Sequence, residues 1–244
     1  MICCILLITH LLADFTFQPA VLAEKKKESF LYLLLHSLIY LAAFTAACFL
    51  FIDRRYAWLT VLLISLLHFS IDWLRKVLES KFNGNAFVFA FFIGDQILHA
   101  AVLFTVCSIL ALNIHGNAFY ESAASGNSFQ NIVLCILLFA IILDPTAVFI
   151  KKLFQFLSGT PSCENKKENL RVGTIIGKLE RIITAILVLC GQYGVIGLVL
   201  TAKSIARFKQ LDDKAFAERY LVGTLASLAI ALAASIFIKN YLCR

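Results

Sequence analysis

HLLAD (10–14), HFSID (68–72) and DQILH (95–99) each place a histidine and an aspartate four positions apart inside an apolar segment, and a further apolar segment holds His36. Residues four apart lie on one face of a helix, one above the other. Ionisable groups inside apolar segments are costly, so they usually face a protein interior and mark a functional site. The sequence therefore predicts four helices that share one polar site.

The composition is typical of a membrane protein. The chain has 244 residues, of which 61% are hydrophobic and 15% charged, and its mean hydropathy is +0.86. Soluble domains are about 45–50% apolar and about 25% charged. We therefore predict an all-α fold, a polytopic transmembrane helical bundle with six or seven membrane segments. The net charge of +7 fits the basic cytoplasmic loops of such a protein, so nucleic acid is not an expected partner.

The apolar segments have about the length of a membrane-spanning helix, which needs about 20 residues. They lie at about 2–18, 29–52, 56–78, 86–113, 131–157, 173–202 and 220–238. The sixth is too long for one simple span, and a break or a re-entrant turn near GQYG (191–194) decides between six and seven spans. In the fifth, Asp144 either approaches the polar site or satisfies a helix kinked at Pro145.

A polar stretch without Lys or Arg, 114–130, separates two halves of the chain. We predict a four-helix membrane domain at 1–115 that carries the His/Asp site, an outer loop at 116–130, and a C-terminal membrane domain at 131–244 with a basic amphipathic segment. The Gly/Ala-rich stretch at 222–235 favours close helix packing. It would serve either docking onto the first half or a homo-oligomer.

Basic residues set the orientation of a membrane protein because they concentrate in its cytoplasmic loops. Lys and Arg are abundant after the first, third and fifth segments, whereas the loops after the second and fourth carry only Arg54 and Arg55. We predict that the N-terminus lies outside and the basic loops are cytoplasmic. The basic stretch 203–219 fits this arrangement only if the sixth segment is re-entrant.

The histidines and aspartates of the first four segments lie at a similar depth in the membrane. At about 1.5 Å of rise per residue, most of them lie within roughly 15 Å of the cytoplasmic face. The candidate metal ligands are His10, Asp14, His36, His68, Asp72, Asp95 and His99. Imidazole and carboxylate suit a divalent metal, for which we expect zinc first, with manganese, iron or nickel as alternatives. Seven candidates exceed the four ligands of one tetrahedral zinc, so either two metals bind or some residues orient the imidazoles.

Three functions use these residues. As an enzyme, the protein would use the metal to activate a water and hydrolyse a membrane-embedded ester or phosphodiester, with Asp14 or Asp72 as the general base. As a transporter or channel, it would pass a metal ion or protons along the same side chains. As a regulatory membrane scaffold, it would use the metal only to stabilise its fold.

Two features bear on this choice. The outer halves of the second and fourth segments are nearly all apolar, which favours a site open to one side over a pathway. Lys76 follows Asp72 by four residues on the same face. It either meets a lipid phosphate or anchors the helix at the cytoplasmic face. Membrane lipids are therefore the expected partners.

The chain resembles an uncharacterised family of bacterial membrane proteins, the domain of unknown function numbered 3307. The likeness lies in THLLADFTFQ (9–18), LLHSLIY (34–40), HFSIDWLRK (68–76) and GDQILHAAV (94–102). Residues 175–208 and 217–227 are similar to a C-terminal extension found in many members. The resemblance implies a multi-pass protein of the bacterial inner membrane and implies no activity. The HxxxD pattern is also similar, more loosely, to membrane proteins predicted to be metal-dependent hydrolases.

Overall fold

The computed structural model describes residues 1–19, 22, 25–26, 29–82, 84–158 and 167–242. Across these ranges the chain is all-α, which confirms the predicted fold class, and the only β-pairing described is an isolated bridge between Ile52 and Gly116. The helices are α1 (Ile2–Leu11), α2 (Phe30–Phe51), α3 (Arg54–Lys81), α4 (Asn85–Ile109), α5 (Ala118–Ala124), α6 (Asn127–Ile142), α7 (Asp144–Ser158), α8 (Lys167–Leu189), α9 (Tyr193–Ala206) and α10 (Lys214–Leu242). One turn of π-helix, Leu12–Thr16, extends α1.

Five stretches among the described residues are long and apolar enough to cross a membrane. They are Phe30–Phe51, Arg54–Lys81, Asn85–Ile109, Ser128–Leu157 and Lys214–Leu242. Two shorter apolar helices accompany them, Ile2–Thr16 and Tyr193–Ala206. The protein is therefore a helical membrane protein.

Both long apolar segments of the second half are interrupted. The fifth breaks between α6 and α7, because Pro145 has no backbone N–H to continue the helical hydrogen bonds. The sixth divides into α8 and α9 at Gly191, whose φ of 74° is a left-handed conformation that favours glycine. The break predicted near GQYG is thus present. Much of the polar linker before α8 lies outside the described residues.

The chain forms two compact units, Met1–Leu137 and Leu138–Arg244. The predicted boundary at 116–130 stays a prediction. Within that stretch the first unit holds α5, whose preceding residue Asn117 accepts a hydrogen bond from the backbone N–H of Tyr120 at 2.9 Å. A side-chain acceptor at this position satisfies one of the free N–H groups that begin a helix.

The first unit is a four-helix bundle. α1 packs against α2 and α4, and α3 packs against the same two helices. The Met1 ammonium donates to the Asn113 side chain at 3.3 Å, so the N-terminus lies at the end where α4 finishes. Lys26 and Arg75 lie at the other end, where both contact aspartates of the bundle. We call it the basic end.

Toward the N-terminal end, the interior of this bundle is apolar. Its buried side chains include Ile2, Ile5, Leu6, Phe44, Cys48, Val61, Ile64, Leu103 and Cys107. The buried hydroxyl of Thr60 donates to the backbone carbonyl of Tyr56 in its own helix, at 2.8 Å. Among the described residues, the buried His and Asp side chains of the bundle lie in the part of the core nearest the basic end.

In the second unit, a buried arginine supports the broken helix. Arg181, 3% exposed, donates to the carbonyl oxygen of Ile142, to that of Leu143 at 3.1 Å and to Ser227 Oγ at 3.0 Å. Pro145 has no N–H to donate to the carbonyl of Ile141, which accepts from the Thr146 hydroxyl at 2.8 Å instead, and the guanidinium adds donors to the next two carbonyls. Asp144 itself pairs with Lys178.

Candidate metal centre

All seven predicted ligands lie in the core of the first unit. Their exposed fractions run from 0% for His36 to 9% for Asp14. His10 comes from α1, and Asp14 comes from the π-helical turn that follows it. Such turns are rare and occur frequently at functional sites. The other five come from α2, α3 and α4.

His36 is the meeting point of three of these elements. Its Nε2 lies 3.1 Å from Asp14 Oδ1, 3.3 Å from Asp72 Oδ2 and 3.2 Å from His68 Nε2. Two carboxylates and a second imidazole therefore surround one ring nitrogen in the buried core of the bundle. Coulomb interactions are stronger in such a buried site than in water.

α4 joins the cluster through His99. The ring centroid of His99 lies 4.3 Å from that of His68 and 5.1 Å from that of His10. Its Nδ1 lies 3.7 Å from Asp95 Oδ2. The structure thus brings all seven residues together, while their roles as metal ligands or catalytic groups stay predictions.

Two groups of three residues have the spacing of a metal site. Asp14, His36 and His68 form one group, and His68, Asp72 and His99 form the other. In each group, one donor atom per residue lies within 4.8 Å of the others. Three protein ligands with a further open position are the arrangement of catalytic zinc sites. His68 belongs to both groups, so it would serve either metal position.

The buried side chains of His99 and Asp95 have polar atoms that lack hydrogen-bond partners among the described residues. In the part of the chain that the structure describes, neither Nδ1 nor Nε2 of His99 has a hydrogen-bond partner, and the same holds for Asp95 Oδ1. Buried polar atoms nearly always find a partner, because leaving one unpaired costs roughly 1–3 kcal/mol. Free imidazole nitrogens and carboxylate oxygens in one pocket fit a divalent cation.

Two cations neutralise the carboxylates. Lys26 Nζ lies 3.4 Å from Asp72 Oδ2 and 3.9 Å from Asp14 Oδ1. Burial disfavours the charged ammonium, but the nearby Asp72 and Asp14 outweigh burial and raise the pKa of Lys26. Arg75 donates to Asp95 Oδ2 at 2.9 Å and to Glu79 Oε1 at 2.8 Å.

Sequence reasoning counted Lys26 and Arg75 only as loop charges. Arg75 follows Asp72 by three residues, and this helical spacing was a usable signal for its place beside the site. No spacing in the sequence relates Lys26 to the site. Its contact with Asp72 joins distant segments of the chain, which helical periodicity does not predict.

Two neutral side chains were also missed. Tyr40 follows His36 by four residues and stacks on His68, with ring centroids 3.6 Å apart and an interplanar angle of 4°. Its hydroxyl lies 3.3 Å from His10 Nδ1. The Gln96 amide donates to Asp14 at 3.2 Å. These contacts fix ring and carboxylate orientations, which is how residues around metal ligands act.

The fold and the cluster define an all-α membrane protein with a buried His/Asp site. Residues 2–125 match the family model described as "Protein of unknown function (DUF3307)", and the chain belongs to that family. The likeness predicted for residues 175–208 and 217–227 lies beyond the matched range and stays a prediction. Comparison with curated proteins and with solved structures gave no match.

Proposed function

We propose that this protein is a metal-dependent hydrolase of the bacterial inner membrane that cleaves a membrane-embedded ester or phosphodiester. The observation that carries the proposal is the convergence of four helices on two overlapping three-donor groups, both fully buried. Divalent metals favour mixed imidazole and carboxylate sites of this kind. We expect zinc, with manganese, iron or nickel as alternatives.

A divalent cation held there would supply Lewis acidity and lower the pKa of a water. For a phosphodiester, the water oxygen adds to phosphorus, the bond from phosphorus to the leaving oxygen breaks, and the alcohol leaves with a proton. Asp72 or Asp14 would accept the proton of the water as general base. Lys26 contacts both carboxylates, so it would hold them in place and balance their charge.

The apolar interior favours hydrolysis over transport. A pathway for protons or metal ions needs polar groups across the membrane. Beyond the cluster, toward the N-terminal end, the bundle core consists of residues such as Phe44, Cys48 and Leu103. A site that opens toward the basic end suits a reaction on a substrate that enters and leaves by the same side.

We also propose the orientation of the first unit. Lys26 and Arg75 lie at one end, and Met1 lies at the other. The positive-inside rule assigns the basic end to the cytoplasm and the N-terminus to the outside. The site then lies in the cytoplasmic leaflet.

The test is lipid turnover in a membrane. We would place the purified chain in nanodiscs of bacterial lipid extract with zinc or manganese and follow the lipids by mass spectrometry. Cleaved lipid should accumulate, and a chelator should stop it. Asp72→Asn should lower the rate about 100-fold or more, as expected for a general base or a metal ligand.

The matched control is Asp53→Asn, an exposed aspartate at the opposite end of α3. It should turn over lipid at the wild-type rate. Stoichiometric metal without any cleaved lipid would contradict hydrolysis and indicate a structural metal. An Asp72-dependent flux of metal ions or protons into liposomes would instead establish transport.

A further inference from the structure

A cleft opens from the candidate metal centre at the basic end of the bundle. We call it the cationic cleft. It is lined by Lys26, Leu33, Asp72, Arg75, Lys76 and Glu79. Asp72 is shared between the cleft and the metal centre, so a group seated in the cleft lies beside the proposed metal position. Three cations and two carboxylates line the cleft, while Asp14 and Asp95 lie behind it against Lys26 and Arg75.

Among the described residues, Lys76 is the cation of this cleft that has no partner. Lys26 contacts Asp72, and Arg75 is bound to Asp95 and Glu79. Lys76 has neither an ion pair nor a hydrogen bond within the described part of the chain, although Asp72 lies one turn before it. The Lys76 side chain is partly buried beside two other cations, so its ammonium is available to an anion seated in the cleft.

Arg75 also offers guanidinium N–H donors to the same anion. Its Nε and one NH₂ group are bound by Glu79 and Asp95, and a guanidinium has five N–H donors. Lys76 and Arg75 together therefore offer several donors from two adjacent positions of α3. The two charged oxygens of a lipid phosphodiester accept from both side chains at once, in charge-assisted hydrogen bonds.

The depth of the cleft indicates that this phosphate belongs to a lipid. Trp73, one turn before Lys76, is 51% exposed, and Phe30 on the neighbouring helix is 57% exposed. Exposed tryptophan beside lysine is characteristic of the membrane interface, where lipid headgroups lie. Leu33 supplies an apolar wall to the cleft. Exposed aromatic side chains of α2 and α3 thus lie within a turn of residues that line the cleft.

We propose that the cationic cleft binds the phosphate of a membrane lipid and delivers that lipid to the metal centre. This inference rests on the proposed function, because it names the substrate class of the same site. The phosphate contacts Lys76, Arg75 and Lys26, and the acyl chains lie along the exposed apolar face of α2 and α3. The substrate class is then a lipid phosphoester rather than a carboxylic ester.

The experiment measures lipid binding with a chelator present, so it does not depend on metal. Detergent-purified chain is titrated with phosphatidylglycerol, and bound lipid is counted by native mass spectrometry. One lipid should bind per chain, and Lys76→Gln should weaken binding about 10-fold through loss of one charged hydrogen bond. Diacylglycerol with the same acyl chains should bind at least 10-fold more weakly.

Lys81→Gln is the matched control, because Lys81 is exposed, ends the same helix and lies outside the cleft. It should bind phosphatidylglycerol as the wild type does. Equal losses in Lys76→Gln and Lys81→Gln, or diacylglycerol binding as tight as that of phosphatidylglycerol, would overturn the proposal.

A third arm separates the two sources of phosphate. Glycerol 3-phosphate that binds as tightly as the lipid would assign the cleft to a soluble phosphoester and overturn the lipid assignment. Lipid binding in a protein that takes up no metal would contradict the metal centre alone. Metal uptake without lipid binding would contradict the cleft alone.

Discussion

His68→Phe should abolish tight metal binding more completely than replacement of His10. His68 belongs to both three-donor groups, whereas His10 belongs to neither. Phenylalanine keeps an aromatic ring of similar size, so the stack on Tyr40 at 3.6 Å survives while both ring nitrogens are lost. The substitution therefore removes metal donors without opening a large cavity.

The expected magnitude follows from the ligand count. Structural zinc sites with four ligands bind with about 10–16 kcal/mol, or roughly 2.5–4 kcal/mol for each ligand. The loss of His68 should thus weaken the affinity about 100-fold to 1,000-fold. His10 lies next to the ligands, and such outer residues contribute about 10-fold to 100-fold. His10→Phe should therefore retain measurable affinity.

The assay is competition of the purified protein against a chromophoric zinc chelator. His115→Phe is the control, because His115 lies beyond the end of α4 that is opposite the basic end and stacks on Tyr56 with ring centroids 3.7 Å apart, as His68 does on Tyr40. It should bind zinc as the wild type does. Equal affinities for His68→Phe and the wild type would refute the shared-ligand geometry.

Three further substitutions test the stability of each unit, measured by thermal unfolding in detergent. Arg75→Met should destabilise the first unit by about 3–5 kcal/mol, because it leaves the buried Asp95 unpaired, and adding Asp95→Leu should recover most of the loss. If the double variant recovers none of the lost stability, the unpaired Asp95 is not the cause of the loss. Arg181→Met should destabilise the second unit by roughly 1–3 kcal/mol, since it removes the buried donors to the carbonyl of Ile142 and to Ser227 Oγ. A wild-type melting temperature would refute this role. Gly191→Ala should cost roughly 1–2 kcal/mol, because φ is 74° there, and an unchanged stability would mean that the turn relaxes.

The helical fold and the seven residues that form the His/Asp cluster were predictable from the sequence. Long apolar segments can satisfy their backbone in a membrane only as helices or closed barrels. The i,i+4 spacing then places His68 above Asp72 and Asp95 above His99, whatever the neighbouring helices do. That local geometry needs no knowledge of packing.

The remaining parts of the site depend on contacts between distant segments. The place of Lys26 depends on how the chain turns after α1, and no periodicity encodes it. The same is true of Gln96, which follows Asp95 yet reaches Asp14 on another element. The division of the metal donors into two groups that share His68 depends on helix rotation within the bundle, which the apolar pattern of these segments leaves undetermined.

The most direct test of the central claim is the metal content of the wild-type chain. The protein would be purified in detergent without chelator from medium containing zinc, manganese, iron and nickel, and then measured by elemental analysis. The account predicts one or two divalent metals per chain, lost together in a His36→Phe, His68→Phe variant. A well-folded wild-type chain that contains no metal and binds none on addition would contradict it.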